Sequence, residues 1–284
     1  MLIIDDIKTA QQTCIDYKRQ GKKIAFVPTM GNLHQGHLSL VEQAKQQADI
    51  VVVSIFVNPM QFGPNEDFDA YPRTFDDDRH ALEQLDVDLL IVPTIDQIYP
   101  RGKNGHTQVI TLPSLTNKLC GESRPGHFTG VTTVVNILFN LVQPDVAIFG
   151  KKDFQQLMVI KRMANDLNMP TKIIGGEIIR EPNGLAMSSR NGYLSEQEKD
   201  QASHLRATII ATQKQIEAGH HDFRQLRLDA IKQLQHDGFK VDYFEIVYQE
   251  DLEPAQKFDQ PLLIAAAAWL GQPRLIDNQE ISFK

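Results

Sequence analysis

The chain has 284 residues, of which 42% are hydrophobic, so it has enough apolar material for one large or two medium-sized domains. Its 29 basic and 36 acidic residues give a net charge of -7, and such a chain as a whole repels nucleic acid. The sequence begins without a basic segment followed by an apolar run, and nowhere do about 18 uncharged apolar residues occur together. We therefore expect a cytoplasmic protein that binds neither nucleic acid nor a membrane.

The two cysteines, Cys14 and Cys120, are too few for a disulfide framework and lack the paired spacing of a metal site. Both are predicted to be small packing residues, as is usual in a reducing compartment. No Ser-His-Asp or Cys-His order stands out, and no pattern resembles a zinc site.

Short apolar runs that alternate with helical patterns predict a parallel sheet with helices on both faces. The predicted strands are residues 23–27, 50–57, 87–92, 145–149 and 172–179. Ligands of such open sheets collect at the carboxyl ends of the strands. Polar side chains that directly follow a strand are therefore the first candidates for a functional site.

Beyond about residue 180 the pattern changes to two helices and three short candidate strands. The helices are predicted from Ser195 to about Glu217 and from Asp222 to about Gln235, and the strands over 241–247, 262–270 and 274–277. With a boundary near residues 176–182, we expect an α/β domain over 1–178 and a smaller α+β domain over 179–284. No flexible linker or repeat separates them, so close packing around a cleft is expected.

The clearest candidate site is the stretch from Phe26 to His37, which runs from an apolar strand into a helix and carries His34 and His37 on either side of Gly36. A helix N-terminus has unpaired backbone N–H groups and roughly half a positive charge, so it favours an anion. Imidazoles donate hydrogen bonds to phosphoryl oxygens, and Gly36 lets a triphosphate approach closely. The alternative is a pair of surface histidines three residues apart.

Asn58 and Gln61 follow the second predicted strand. Their amides both donate and accept hydrogen bonds, which suits hydroxyls or a carboxylate on a small polar substrate. A capped turn is an equally good interpretation of this pair.

A second strand-to-helix turn, residues 149–156, places a glycine beside Lys151 and Lys152. A lysine ammonium neutralises a phosphate, Asp153 at the helix start caps it or binds a ribose hydroxyl, and Gln156 is expected to face a substrate. The alternative is a solvated, charged helix start.

The loop of residues 187–191 carries Ser188, Ser189 and Arg190, two hydroxyls and a guanidinium that suit phosphates. A serine-rich loop is often only a loop. Its complementarity to the other clusters favours a lid that closes on a triphosphate and excludes water.

Two further clusters are ambiguous. Arg124 precedes a helical run and is expected at the cleft, whereas His127 is expected to pack or to cap the helix. The acidic run 76–78, near Arg73, is either a magnesium ligand set or a helix start stabilised by the dipole, and the dipole interpretation is favoured.

Five motifs in this order resemble the pantothenate synthetase family, the pantoate–β-alanine ligases. They are residues 28–37, 56–62, 124–128, 152–156 and 187–191, and the likeness continues through 268–271 and 274–278. The resemblance implies a Rossmann-like parallel sheet of the His-x-Gly-His nucleotidyltransferase superfamily. It also implies a cytoplasmic homodimer that joins pantoate to β-alanine at the expense of ATP, with Mg²⁺ carried by the ATP and its protein ligands unknown.

The resemblance further implies an ATP site formed by several segments of the chain. The implied ATP-binding residues are Met30, Gly31, Asn32, Leu33, His34, Gln35, Gly36, His37, Gly150, Lys151, Lys152, Asp153, Ile179, Met187, Ser188, Ser189 and Arg190. His34, His37 and Lys152 are the implied catalytic residues on the phosphates, with His37 as a proton donor. Lys151 departs from the family pattern, in which glutamate is frequent, and this changes the local charge.

For the second substrates, the resemblance places Gln61 and Gln156 on pantoate and Asn58 near β-alanine. A carboxylate is already a competent nucleophile, so no protein nucleophile is needed. Two other functions stay open: a nucleotidyltransferase that adenylylates a phosphate ester and stops, and a nucleotide-binding regulatory module without turnover. The two glutamines, without extra cations beside them, favour a polyol carboxylate over a phosphorylated acceptor.

Overall fold

The computed structural model describes residues 1–64 and 66–282. The described chain falls into two compact units. The first consists of residues 1–112, 124–151 and 156–177, and the second of residues 113–123, 152–155 and those from 178 onward. The predicted domain boundary lies after residue 178. Residues 113–123 and 152–155 precede this boundary but belong to the second unit. The division of functions between two domains stays a prediction.

A six-stranded, entirely parallel sheet forms the centre of the first unit, which confirms the predicted fold class. Its strands are β1 (Leu2–Ile4), β2 (Ile24–Thr29), β3 (Ile50–Ile55), β4 (Leu89–Ile91), β5 (Val146–Gly150) and β6 (Lys172–Gly176). They lie in the order β1-β4-β3-β2-β5-β6. Strand β1 escaped prediction because the apolar run at residues 1–4 is short, and the strand itself has only three residues, of which Leu2 and Ile3 remain exposed.

The helices of the described residues span from four to 22 residues. They are α1 (Ile7–Arg19), α2 (Gln35–Lys45), α3 (Phe75–Gln84), α4 (Ile95–Ile98), α5 (Pro113–Thr116), α6 (Cys120–Ser123), α7 (His127–Val142), α8 (Phe154–Asp166), α9 (Glu196–Glu217) and α10 (Phe223–His236). Within this part of the chain, none is both long and apolar enough to cross a membrane.

Successive residues of β2 face opposite sides of the sheet. Ile24 and Phe26 join the core cluster that includes residues of α1, α7 and α8, whereas Ala25 and Val27 join the cluster with α2 and α3. Helices on both faces explain why β2 and β3 are nearly continuous apolar runs. Cys14 packs in the first cluster as predicted, and burial raises the pKa of its thiol to about 12.

The second unit contains a three-stranded antiparallel sheet, β7 (Lys240–Tyr248), β8 (Leu262–Trp269) and β9 (Arg274–Ile281), in that order. Residues of α9 and α10 share one apolar core with this sheet. The predicted start of α9 is confirmed: Ser195 caps the helix, and the Glu198 side chain reaches back to the N–H of Ser195 at 2.8 Å.

The segment 113–123 belongs to the second unit because its side chains bond to β7 and β9. Ser123 donates to the carboxylate of Asp242 at 2.7 Å, and the Cys120 Sγ lies 3.5 Å from a guanidinium nitrogen of Arg274. Arg274 in turn binds Asp242 at 2.7 Å. Cys120 is therefore half-buried in a polar cluster, and the prediction of a plain packing residue was wrong for it.

Helix α7 lies directly against a short 3-10 turn, Pro59–Gln61, at a glycine. A Cβ atom on Gly130 would clash with the carbonyl oxygen of Met60, and this backbone atom shifts less easily than the end of a flexible side chain. We expect Gly130→Ala to lower the free energy of unfolding by about 2–3 kcal/mol through overpacking, as measured by denaturant titration. Gly63→Ala is the control, since its Cβ would come no closer than 3.6 Å to a flexible side chain. Equal stability of the two variants would contradict a tight contact at Gly130.

Candidate functional site

The loop between β2 and α2 has a left-handed backbone that neighbouring side chains hold in place. Gly31 has a φ of +78° and Asn32 a φ of +49°. The Thr29 hydroxyl donates to the carbonyl of Ser54 at 2.8 Å and accepts the N–H of Gly31 at 3.2 Å. A Cβ on Gly31 would lie 3.0 Å from a carboxylate oxygen of Asp78, so glycine is required for both its conformation and its size.

Asp78 is the carboxylate that fixes this loop from α3. It is 2% exposed, and its two oxygens accept the N–H groups of Asn32 at 2.9 Å and Leu33 at 2.7 Å. The Thr74 hydroxyl donates a third hydrogen bond at 3.2 Å. The acidic first turn of α3 is present as predicted, but its buried member has this additional role. Among residues 1–64 and 66–282, no group of three or more His, Cys, Asp or Glu side chains could hold a metal ion.

His34 and His37 cap α2 with their Nδ1 atoms. The Nδ1 of His34 accepts the N–H of Gly36 at 3.1 Å, and the Nδ1 of His37 accepts the N–H of His34 at 3.3 Å. The two ring centroids lie 4.1 Å apart. A neutral imidazole that accepts at Nδ1 carries its proton at Nε2, so each ring has its donor there.

Several backbone donors of this turn are paired within the protein, so fewer of them are open to an anion than the sequence predicts. The paired N–H groups are those of Gly31, Asn32, Leu33, His34 and Gly36. The capping imidazoles and the Asp78 carboxylate satisfy donors that a helix start otherwise leaves to a ligand. The helix dipole still favours an anion at this turn.

Asn58 is 1% exposed, and protein partners occupy its whole side-chain amide. Its Oδ1 accepts the N–H of Met60 at 3.2 Å and the hydroxyl of Tyr99 at 2.8 Å. Its Nδ2 donates to the carbonyl of Gly130 at 3.0 Å and to the Oε1 of Gln61 at 3.1 Å. Asn58 thus supports its neighbours, and Tyr99, which the sequence analysis overlooked, supports Asn58.

Gln61 is held at both its backbone and its side chain. Its carbonyl accepts from Arg124 at 3.1 Å and lies 2.8 Å from the Nδ1 of His127. Arg124 also pairs with Glu66: burial alone would raise the pKa of Glu66, but the hydrogen bond and charge of Arg124 bring it below its usual value. Arg124, predicted as a cleft residue, therefore supports Gln61. The Nε2 of Gln61 reaches the Sδ of Met30 at 3.2 Å, which joins this network to the loop after β2.

The two adjacent lysines of the turn after β5 differ in their environment. Lys151, in the first unit, pairs with Glu177 at 2.6 Å. Lys152 belongs to the second unit, where its carbonyl accepts from Asn278 at 2.9 Å. Its half-buried ammonium has no protein partner among the described residues, and Asp153 beside it is exposed. Lys152 is thus the lysine whose charge the described protein leaves uncompensated.

Gly150, just before these lysines, has open space where a side chain would be. A Cβ there would meet Leu40 alone among the described residues, at 3.9 Å. Packing of the first unit therefore does not require glycine at this position.

The two adjacent glutamines at the start of α8 also differ. Gln155 is buried, its Nε2 donates to the carbonyls of Leu115 at 2.9 Å and Lys118 at 2.8 Å, and its Oε1 accepts from Cys120. Gln156, about 100° further around the helix, is half-buried and has no side-chain partner in the described part of the chain. Protein partners therefore occupy the side chain of Gln155 and leave that of Gln156 available.

In the second unit, the loop of residues 187–190 starts a 3-10 helix. The Ser188 hydroxyl oxygen accepts the N–H of Arg190 at 3.3 Å, and Ser189–Tyr193 form the helix. The N–H of Met187 donates to the carbonyl of Ile179 at 3.0 Å. The N–H of Ile179 has no partner within residues 1–64 and 66–282. It could therefore donate a hydrogen bond to a nucleotide base.

Arg180 and Asp277 hold the turn from which this loop emerges, and the sequence did not predict that they pair. Arg180 donates to the two carboxylate oxygens of Asp277 at 2.7 Å and 2.9 Å and to the carbonyl of Gly184 at 3.0 Å. Asp277 is almost fully buried, so this bidentate pair is shielded from water. Charge pairing across nearly a hundred residues leaves no local sequence pattern.

The predicted site residues form two groups. The first unit brings together residues 30–37 with Asn58 and Gln61, and it also contains Gly150, Lys151 and Gln156. The second unit contains Lys152 and Asp153, together with Ile179 and the loop 187–190. The assignment of these residues to particular substrates stays a prediction.

Comparison with known proteins identifies a family model, described as pantoate-beta-alanine ligase, that matches residues 2–280. Pantothenate synthetase from Shewanella loihica is 54% identical over 278 residues, which cover 98% of each chain. Pantothenate synthetase from Hahella chejuensis is 52% identical over 278 residues, again 98% of each chain.

Solved structures agree with this result. Pantothenate synthetase from Thermus thermophilus has a TM-score of 0.91 at 39% identity, covering 98% of this chain and 99% of that one. A pantoate-beta-alanine ligase from Francisella tularensis, complexed with beta-gamma ATP and β-alanine, has a TM-score of 0.80 at 36% identity, covering 98% and 97%.

Removing the Asp78 carboxylate should loosen the loop after β2. Asp78→Ala leaves the N–H groups of Asn32 and Leu33 without their acceptor, so we expect a loss of about 2–3 kcal/mol in the free energy of unfolding. Amide hydrogen exchange at these two residues should accelerate by more than ~10-fold. Asp77→Ala removes an exposed charge from the same helix turn and should change stability by at most about 0.5 kcal/mol. Unchanged exchange in Asp78→Ala would show that the loop keeps its shape without the carboxylate.

Proposed function

Because this chain belongs to the pantoate–β-alanine ligase family and is an enzyme of that activity, we propose that it works in two steps through pantoyl adenylate. In the first step, a carboxylate oxygen of pantoate attacks the α-phosphorus of ATP, and pyrophosphate leaves. In the second step, the neutral amine of β-alanine attacks the acyl carbon, loses a proton and displaces AMP. The ATP and β-alanine of the Francisella tularensis complex support these substrates.

The observation that carries this proposal is the pair of capping imidazoles after β2. Each ring accepts at Nδ1 and therefore donates at Nε2, and both stand on a loop that Asp78 holds. Such fixed donors stabilise charge that grows on the phosphates without reorganising during the reaction. No protein nucleophile is needed, because the pantoate carboxylate attacks directly.

The remaining roles follow from the groups that the described protein leaves uncompensated and from the family motifs. The Lys152 ammonium is proposed to bind the triphosphate, and the motif of residues 188–190 in the second unit is proposed to bind it as well. Gln156 is proposed to bind pantoate, and the N–H of Ile179 the adenine. Mg²⁺ enters with ATP as part of the substrate and neutralises phosphate charge.

The family assignment also supports a cytoplasmic homodimer. In the domain roles that we propose, residues 1–178 bind ATP and pantoate, and residues 179–284 supply the phosphate-binding loop. Sedimentation at several protein concentrations tests the dimer.

Product analysis tests the reaction itself. With ATP, pantoate and β-alanine present, mass spectrometry should find pantothenate, AMP and pyrophosphate in equal amounts. Without β-alanine, pantoyl adenylate should accumulate only up to the enzyme concentration if it stays bound. A nucleotidyltransferase would leave AMP attached to its product, and a regulatory module would leave ATP intact; either result would refute the ligase mechanism.

Two substitutions test the phosphate contacts. His37→Asn retains an acceptor for the N–H of His34 but lacks the Nε2–H, and Lys152→Ala removes an ammonium. We expect each to slow pyrophosphate release by roughly 10²–10³, about 3–4 kcal/mol in the barrier, with the melting temperature nearly unchanged. The exposed His220 and Lys161 provide controls: His220→Asn and Lys161→Ala should retain full activity. Turnover close to that of the wild type in either test variant would remove that residue from the mechanism.

A further inference from the structure

The orientation of the Asn58 amide is determined by backbone groups whose polarity cannot change. The N–H of Met60 can only donate, and it faces the Oδ1 of Asn58 at 3.2 Å. The carbonyl of Gly130 can only accept, and it faces the Nδ2 at 3.0 Å. A flipped amide would place donor against donor and acceptor against acceptor, so only one orientation satisfies both.

The Tyr99 hydroxyl strengthens this orientation. It donates to the Oδ1 of Asn58 at 2.8 Å from a position that is 1% exposed. Burial raises the pKa of Tyr99 above its usual value, so the hydroxyl keeps its proton throughout the physiological range. The Oδ1 therefore receives two donors, one from backbone and one from a fixed side chain.

The orientation of the Asn58 amide determines the orientation of the Gln61 amide. Its Nδ2 donates to the Oε1 of Gln61 at 3.1 Å, so the Nε2 of Gln61 must point the other way. There it donates to the Sδ of Met30 at 3.2 Å, a weak acceptor that an oxygen can readily replace. Gln61 is half-buried, and its second Nε2–H has no partner within residues 1–64 and 66–282.

We propose that Asn58 is a positioning residue that restricts Gln61 to the role of hydrogen-bond donor toward the hydroxy acid substrate. The inference rests on the proposed function and gives Asn58 an action through Gln61 in place of direct substrate contact. The substrate atom that meets Nε2 is then an acceptor, a hydroxyl or carboxylate oxygen. A ligand that presents an ammonium at this point is rejected, because two donors would face each other.

The test exchanges the donor for an acceptor with almost no change of shape. In Gln61→Glu, one carboxylate oxygen still accepts from Asn58, but the other is an acceptor where the wild type donates. We expect the KM for pantoate at about pH 8 to rise at least ~30-fold, with the KM for ATP within about twofold of the wild type. Gln47→Glu adds the same charge at an exposed position of the first unit and should behave like the wild type.

The pH dependence separates a donor requirement from a structural defect. A protonated Glu side chain donates from the position of Nε2, so pantoate binding to the variant takes up one proton. Affinity is then highest at low pH and is lost as pH rises above the glutamate pKa of about 4.3. Between about pH 6 and pH 8, the ratio of the variant KM to the wild-type KM should increase toward tenfold per pH unit. A ratio that is constant with pH would overturn the inference.

One further variant tests the positioning residue, and a second is its control. Asn58→Ala releases the Gln61 amide and should raise the KM for pantoate about tenfold while the KM for ATP stays within about twofold. Tyr99→Phe leaves both backbone partners of Asn58 in place and should change the pantoate KM by less than about threefold. If Asn58→Ala fails to fold, the Gln61→Glu series decides the question alone. Unchanged pantoate KM in a folded Asn58→Ala would overturn the role of Asn58.

The same measurements distinguish this inference from the function on which it rests. If the wild type releases no pyrophosphate with ATP and pantoate, the proposed function fails, and the inference fails with it. If the wild type is active but the Gln61→Glu effect does not depend on pH, only the inference fails.

Discussion

The hydrogen bonds from the Asn32 and Leu33 N–H groups to the Asp78 carboxylate are the constraint on which the site in the first unit depends. Burying a carboxylate is costly unless charge-assisted hydrogen bonds satisfy it. Asp78 has three such bonds and lies in the first turn of α3, where the helix dipole also favours a negative charge. It can therefore hold Gly31 and Asn32 at positive φ, a conformation that asparagine adopts more readily than most residues other than glycine.

The geometry of this loop then determines the orientation of the two histidines. Since the loop ends at His34, its position decides where the capping imidazole lies and which ring nitrogen faces the helix. Both rings use Nδ1 for the cap, so the donor atom of each is settled before any ligand binds. Fixed donors of this kind are what a phosphoryl transfer site requires, because no free energy is lost in reorienting them.

In the turn after β5 and at the start of α8, one of two neighbouring residues of the same type is paired within the protein and the other is not. Gln155 is saturated by protein partners, whereas Gln156 is not; Lys151 is paired with Glu177, whereas the Lys152 ammonium has no protein partner in the described chain. Burial separates the two glutamines, because a buried polar group such as the Gln155 amide must find partners in the protein. The polar groups that retain unused donors therefore mark the surface at which a ligand can bind.

The sequence by itself determined the parallel sheet, the helices α9 and α10, the start of α9 at Ser195 and the family to which the five motifs belong. These features depend on local periodicity, on capping residues and on short motifs, all of which can be recognised within a few turns of chain. Only the tertiary structure decided the roles of Asp78, Asn58 and Arg124 and revealed Tyr99 and the Arg180–Asp277 pair. Each of these side chains acts on a partner that is distant in sequence, up to 97 residues away for Arg180 and Asp277. Whether a polar side chain serves a ligand or another part of the protein depends on what folding places beside it, and no local pattern contains that information.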